Sequence, residues 1–277
     1  MAQTEQKIRK AFVAGQFYPE EPTVLKDDIK TLLTKVHSAA DPKVRALIVP
    51  HAGYMYSGGV AAEAYNTVKD RTFETVVIIA FLHRVPLRGV LVDNVDFYET
   101  PLGRVPVDTA LVKRLREADP ILNEKLDGPI EEHSLEVQLP FLQIVLPGLK
   151  IVPIYFGEQS LANAEAIASA LSGLLAGKNA LVVVSTDLSH FYTYETAVQK
   201  DKHLIKLVEG GDVVKIARAS NSGEAEACGL GPVITSLLLA EKLGWTGPKL
   251  IHYANSGDVT GDRRSVVGYA AMAYRGK

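Results

Sequence analysis

The sequence predicts an α/β fold in one domain, similar in plan to a doubly covered sheet: a largely parallel or mixed central sheet with helices on both faces. Three observations predict it. Short, nearly continuous apolar runs rich in Val and Ile recur along the chain, as parallel strands buried on both faces require. Amphipathic helical stretches alternate with these runs, the pattern of strands joined by helical crossovers. The 277 residues are 47% apolar and 22% charged, ordinary globular composition, and neither a Pro/Ser-rich linker nor a solenoid-length repeat divides them. Residues 1–277 therefore read as a single unit.

Each element has its own justification. Thr23 to Val36 carries apolar residues at helical spacing (Val24, Leu25, Ile29, Leu32, Leu33, Val36), with Pro22 ahead of it and Thr23 as the expected N-cap. Val44 to Val49 (VRALIV) reads as a buried strand that runs directly into Pro50, His51 and Gly53. Thr75 to Ala80 (TVVIIA) repeats the design and ends in the loop holding His83. Ala180 to Val184 (ALVVV) runs into Ser185, Asp187 and His190. Ile151 to Phe156 (IVPIYF) is a fourth strand, and Pro153 inside it points to a sheet edge or a bulge. Helical patterns cover Gly59 to Val68, Ala110 to Glu117, Ser134 to Val145, Leu161 to Leu175, Thr193 to Val208 and Pro232 to Leu243. Two strands, Leu250 to Asn255 and Ser265 to Tyr274, close the chain.

Composition excludes several function classes. Thirty Lys and Arg against thirty-two Asp and Glu give a net charge of -2, without the basic excess that binding a phosphate backbone requires, so nucleic acid is not an expected partner. The single cysteine, Cys228, rules out an intrachain disulfide and a zinc ribbon. No apolar run approaches the roughly 20 residues of a membrane helix, and the polar start MAQTEQKIRK has no apolar segment behind it. A cytoplasmic protein with no membrane partner is the expectation.

Ligands of an open α/β sheet bind beyond the carboxyl ends of its strands, where loop side chains are free of core duty. His51, His83, Asp187 and His190 all follow expected strands there, so parallel pairing brings them to one edge. His37, His203 and His252 lack that placement and read as structural. Cys228 sits in EACGLGP at the opening of the last helix, where two readings stand side by side. One is a small buried hydrophobe; the other is a metal-binding or reactive thiolate that Gly229 and Gly231 allow the backbone to bring close. His133, in EEHSLEVQLPF, reads as part of a helix start, with a polar wall of the cleft as the sharper alternative.

Read in order, seven blocks resemble one family, the Memo-like proteins. They are AGQFYP (Ala14 to Pro19), PHAGYMYSG (Pro50 to Gly58), LHRVPLRGV (Leu82 to Val90), YETPLGRVPVD (Tyr98 to Asp108), EEHSLEVQLPFL (Glu131 to Leu142), STDLSHF (Ser185 to Phe191) and ACGLGP (Ala227 to Pro232). The resemblance implies a fold similar to that of the class III extradiol dioxygenases. It implies a metal pocket made by His51, His83 and Cys228, with His190, accompanied by Asp187, in the position of the ring-cleaving enzymes' catalytic acid/base. It also implies a radical-SAM protein as a partner in prokaryotes. Two departures matter. Cys228 stands where ring-cleaving enzymes use a carboxylate, which makes the donor set softer and favours copper or redox-active iron, with zinc also accommodated. Ahead of His83 the chain reads Ala80-Phe81-Leu82 where many Memo-like sequences carry Gly-Pro-Ser, so the wall there is expected to be narrower.

Two functions follow as expectations. The first is a non-haem metal-dependent oxidoreductase, dioxygenase-like, acting on a small oxygen-bearing substrate. His51, His83 and Cys228 hold one metal ion, and His190, oriented by Asp187, moves protons. Phe17, Tyr54, Tyr56 and Phe191 are its candidate stacking walls. The second is an adaptor that binds a phosphopeptide or other peptide in the same cleft without catalysis, with Arg84 and Arg88 as an anion clamp.

Overall fold

A computed structural model describes residues 6–126 and 130–277. Along the chain these form β1 (Ile8–Arg9), α1 (Pro22–Thr34), β2 (Val44–Val49), α2 (Tyr54–Asn66), β3 (Thr75–Phe81), β4 (Val90–Val92), β5 (Phe97–Thr100) and β6 (Gly103–Pro106). There follow α3 (Thr109–Ala118), α4 (Gln138–Val145), β7 (Ile151–Phe156), α5 (Leu161–Leu175), β8 (Ala180–Ser185), β9 (His190–Tyr192), α6 (Tyr194–Gly210) and α7 (Val213–Asn221). The last elements are α8 (Leu230–Leu243), β10 (Thr246–Asn255), α9 (Ser256–Thr260) and β11 (Val266–Arg275).

The main sheet has the order β10-β11-β2-β8-β3-β7-β4, and β9 pairs with β11. Strands β2, β8, β3 and β7 are parallel to one another, whereas β11 runs antiparallel on β2 and β4 antiparallel on β7. The sheet is thus mixed, with a parallel heart. Val and Ile dominate that heart because side chains of both parities along each strand must pack: every residue of β7 and β8 is buried, and all of β3 except Phe81. Helices α1, α2 and α4 pack together, as do α3, α5 and α8. A separate three-stranded sheet, β1-β5-β6, is tied on by the Arg9–Asp93 ion pair (3.2 Å) and by Tyr98, whose hydroxyl donates to Asp93 (2.6 Å). Among the described residues, no helix is long and apolar enough to cross a membrane.

Several expectations change in detail. Pro153 is not on an edge strand, because β4 lies outside β7. Edge strand β4 spans only Val90–Val92 and pairs with Ile154–Phe156, so it ends before reaching Pro153, whose carbonyl accepts from the Asp93 N–H (3.1 Å). No ladder donor is needed at that point. Helix α1 begins at Pro22, capped by the Glu21 carboxylate (2.9 Å to the Val24 N–H) and not by Thr23. Proline suits a first helical position because its fixed φ is already helical and the N–H it lacks would be unpaired there. Helix α4 begins at Gln138 and not at Ser134. The N–H groups of His133 and Ser134 are drawn to the Glu132 carboxylate (2.8 and 2.9 Å), so the preceding turn stays irregular. Helix α2 starts five residues before the expected Gly59; α7 is absent from the expected helices although Val213, Ile216 and Ala219 recur at helical spacing, and the short strands β4 to β6 carry no periodic signal long enough to read.

Candidate metal centre

Parallel strands deliver the candidate residues to one place. His51 lies two residues past the end of β2, His83 two past β3, and Asp187 two past β8, while Cys228 lies two before α8. The donor atoms of His51, His83 and Cys228 all fall within 4.8 Å of one another. Cys228 Sγ is 3.1 Å from His51 Nε2, and the His51 and His83 rings meet edge to face with centroids 5.3 Å apart. Two metal bonds of about 2.0 to 2.3 Å at ordinary coordination angles span roughly 3 to 3.7 Å, so the His51–Cys228 spacing suits a shared ion.

Each histidine is held by its other ring nitrogen. His51 Nδ1 is 2.9 Å from Ser185 Oγ, and His83 Nδ1 is 2.9 Å from Glu132 Oε1. Partners on Nδ1 orient a ring and leave Nε2 for a ligand role, as in well-formed metal sites. His51 is buried, and burial, reinforced by the neighbouring His133 and His83, pushes its pKa well below the usual imidazole range. Burial and the nearby Asp187 carboxylate push the Cys228 thiol up. The Asp187 N–H donates to Cys228 Sγ (3.2 Å), which steadies the sulfur.

Glu132 is the residue that sequence reasoning missed. Its carboxylate accepts from the backbone N–H of His83 (2.6 Å), His133 (2.8 Å) and Ser134 (2.9 Å) and from both rings, His83 Nδ1 and His133 Nδ1 (3.1 Å). Burial alone would raise its pKa, but the hydrogen bonds from His133 and His83 prevail and hold it far below the usual carboxylate range. His133 therefore joins the histidine cluster, stacked on His83 (centroids 4.5 Å) and set edge-on to His51 (5.2 Å). The only local signal was an acid next to a histidine; the decisive partner, His83, is 49 residues away.

Asp187 and His190 are near each other, but their hydrogen bonds differ from the expected pairing. The Asp187 carboxylate accepts from the His51 N–H (2.7 Å), and its backbone carbonyl accepts from the Cys228 N–H (3.2 Å). It braces the two ligand-bearing loops. His190 turns to Glu226 instead: its N–H donates to Oε1 (3.2 Å), its Nδ1 lies 3.7 Å from the same oxygen, and the Tyr192 hydroxyl donates to Oε2 (2.9 Å). The segment carrying His190 is irregular: strand β9 pairs with β11 through a register shift, and Phe191 takes φ 64°. The electrostatic influence of His190 still reaches Asp187 and His51.

The expected aromatic walls divide. Tyr54 is core, its hydroxyl donating to the Val137 carbonyl (2.7 Å) and its ring against Phe141. Phe17 packs at a tilt against His133 (centroids 4.7 Å), and Phe191 is 75% exposed beside His190. Phe81 rests on the His83 ring (4.0 Å), so the departure from Gly-Pro-Ser puts an aromatic side chain directly on a candidate ligand.

The family model described as Memo-like protein matches residues 9–273. A MEMO1 family protein of Methanothermobacter thermautotrophicus is 34% identical over 96% of this chain and 100% of its own. Others from Methanosarcina mazei and Thermotoga maritima are each 37% identical, covering 96% and 94% of this chain and 98% and 97% of theirs. A crystal structure of an uncharacterized protein from Escherichia coli K12 is similar with a TM-score of 0.48 and 14% identity, covering 84% of this chain and 100% of that one.

Proposed function

The chain belongs to the Memo-like family, and on that premise we propose that it is a metal-dependent redox enzyme acting on a small oxygen-bearing substrate. One observation carries the reading: two imidazoles and a thiol, drawn from three loops, present donor atoms within 4.8 Å of one another. His51, His83 and Cys228 are the residues that would hold the ion, and the mixed N,N,S donor set suits copper or iron, with zinc accommodated. Bound there, such an ion supplies Lewis acidity or a one-electron couple.

The remaining residues have separable tasks. Glu132 and Ser185 hold the two imidazoles from behind, and Asp187 ties the His51 loop to the Cys228 loop. His190 is the proton carrier. Its Nε2 is the ring nitrogen opposite the one beside Glu226, and a proton given or taken there is balanced by that carboxylate. Phe17 packs at a tilt on His133 and Phe81 on His83, so aromatic side chains flank the histidine side of the site.

The test is elemental analysis of anaerobically purified protein followed by oxygen-uptake measurements with small phenols and other oxygen-bearing compounds. Stoichiometric metal with saturable uptake supports the enzyme. A metal-free protein that binds acidic peptides would replace it with the adaptor reading.

A further inference from the structure

We propose that Ser185 and Gln138 are positioning residues that set the tautomer of His51, so that a bare Nε2 lone pair faces Cys228. The inference deepens the metal-binding reading, and its consequence for affinity rests on that reading.

Two backbone carbonyls, which can only accept, fix the directions of the hydrogen bonds around His51. The Gln138 side-chain nitrogen lies 2.9 Å from the Pro50 carbonyl and 2.8 Å from Ser185 Oγ, while its Oε1 accepts from the Tyr65 hydroxyl at 2.7 Å. Because Pro50 presents a carbonyl, the amide must point its NH2 there, and its two protons go to Pro50 and to Ser185. Ser185 has one proton of its own. That proton goes to the Ser134 carbonyl, 2.5 Å away, which again can only accept.

Ser185 Oγ therefore has nothing left to donate. At its 2.9 Å contact with His51 Nδ1 it can only accept, so the proton sits on Nδ1. A neutral imidazole protonated on Nδ1 has its lone pair on Nε2, and Nε2 is the atom 3.1 Å from Cys228 Sγ. Tyr65, Gln138, Ser185, Ser134 and His51 are each at most 1% exposed, so solvent does not offer alternative partners. The opposite tautomer would set two lone pairs against each other at Ser185 and aim an N–H at the sulfur.

This arrangement distinguishes the two histidines. His83 receives a carboxylate on Nδ1, a charged acceptor, whereas His51 receives a neutral hydroxyl whose direction is dictated from α4 and α2 through Gln138 and Tyr65. A ligand set with one strongly and one weakly polarised imidazole results.

Long-range proton–nitrogen correlation spectra of metal-free protein labelled with 15N-histidine test this, with His51 assigned by comparison with His51→Gln. The expected spectrum has His51 protonated at Nδ1 and bare at Nε2. Ser185→Ala should yield a mixture of tautomers and bind zinc(II), used as a redox-silent probe in competition with a chromophoric chelator, about 10- to 100-fold more weakly. Ser185→Thr, which keeps the hydroxyl, should restore both readouts, and Gln138→Leu should reproduce the Ser185→Ala spectrum. Protonation of His51 at Nε2 in the wild type overturns the proposal, and that measurement needs no variant to fold. A folded Ser185→Ala with the wild-type tautomer and zinc affinity overturns it as well. Wild-type protein with the expected tautomer and no affinity for zinc(II) or copper(I) would instead support the hydrogen-bond assignment and refute the metal-binding reading.

Discussion

Cys228 Sγ and His51 Nε2 lie 3.1 Å apart across 177 residues of chain. The contact exists because β2 and β8 are parallel neighbours whose ends stop level with each other: Val49 pairs with Ser185, and the loops beyond both strands emerge on the same edge. Asp187, on the loop after β8, then ties the His51 loop to the Cys228 loop ahead of α8 through its carboxylate and its backbone carbonyl.

Metal content should divide the site residues into two groups. His51→Ala and Cys228→Ala remove donors and should lower bound metal severely, while His190→Ala should leave it near wild type and abolish turnover. Elemental analysis of the three anaerobically purified variants checks this. Equal metal loss in His190→Ala would make that residue a ligand and end its assignment as proton carrier.

Removing Glu132 should cost more stability than any exposed carboxylate. Glu132→Ala strands the buried N–H of Ser134 and the part-buried N–H of His133 and leaves that of His83 without its acceptor, and an expected loss is about 3–5 kcal/mol. Glu132→Gln keeps an acceptor oxygen and should lose less. Urea unfolding of metal-free protein measures both, and a Glu132→Ala midpoint within error of wild type would contradict the structure.

Gly229→Ala should disturb the Cys228 loop. A Cβ at that position would lie 2.7 Å from the Ser185 carbonyl oxygen and 2.8 Å from Thr186 Cβ, and neither backbone nor β-branched carbon can yield cheaply. Overpacking of this kind costs about 1–3 kcal/mol, and zinc affinity should fall with it. Gly173→Ala is the control: in α5, with nothing beyond its own helix backbone and chain neighbours within 4 Å of the added carbon, it should be neutral or stabilising. Similar effects from both substitutions would remove the steric explanation.

Asp201 makes a pH prediction. Burial raises its pKa, although Ser189 N–H (2.9 Å) and the Tyr253 hydroxyl (2.8 Å) both donate to it. A carboxyl whose folded pKa lies above its unfolded value binds more protons in the native state. Its contribution is therefore most favourable below the unfolded pKa of about 3.9 and declines as pH rises through the folded value. The stability of wild type relative to Asp201→Asn should thus decrease as pH increases from about 4 toward neutrality. Denaturant midpoints of both proteins across that range provide the check, and a difference that grows with pH would reverse the assignment.

Strands β2, β3, β7 and β8 were legible because their signal is local: a run of Val, Ile, Leu and Ala needs no knowledge of its neighbours to be recognised as a buried strand. Helix α5 was legible to the residue for the same reason, with Ser160 capping it. The placement of His51, His83, Asp187 and His190 after strands followed from that reading, and the seven sequence blocks added Cys228. Short elements such as β4 and β9 escaped, since three residues carry no period.

The sequence by itself therefore determined the alternation of elements, the parallel heart of the sheet, the edge on which the polar residues gather and the family to which the chain belongs. Tertiary structure alone decided which acid serves which base. Glu132 and not a nearer carboxylate holds His83, Glu226 and not Asp187 faces His190, and Asp187 braces the ligand loops. Periodicity depends on residues a few positions apart, whereas each of these pairings depends on where a loop crosses the end of the sheet. A hydrogen bond, with its tolerance of a few tenths of an ångström, is settled only once the strands beneath it are in register.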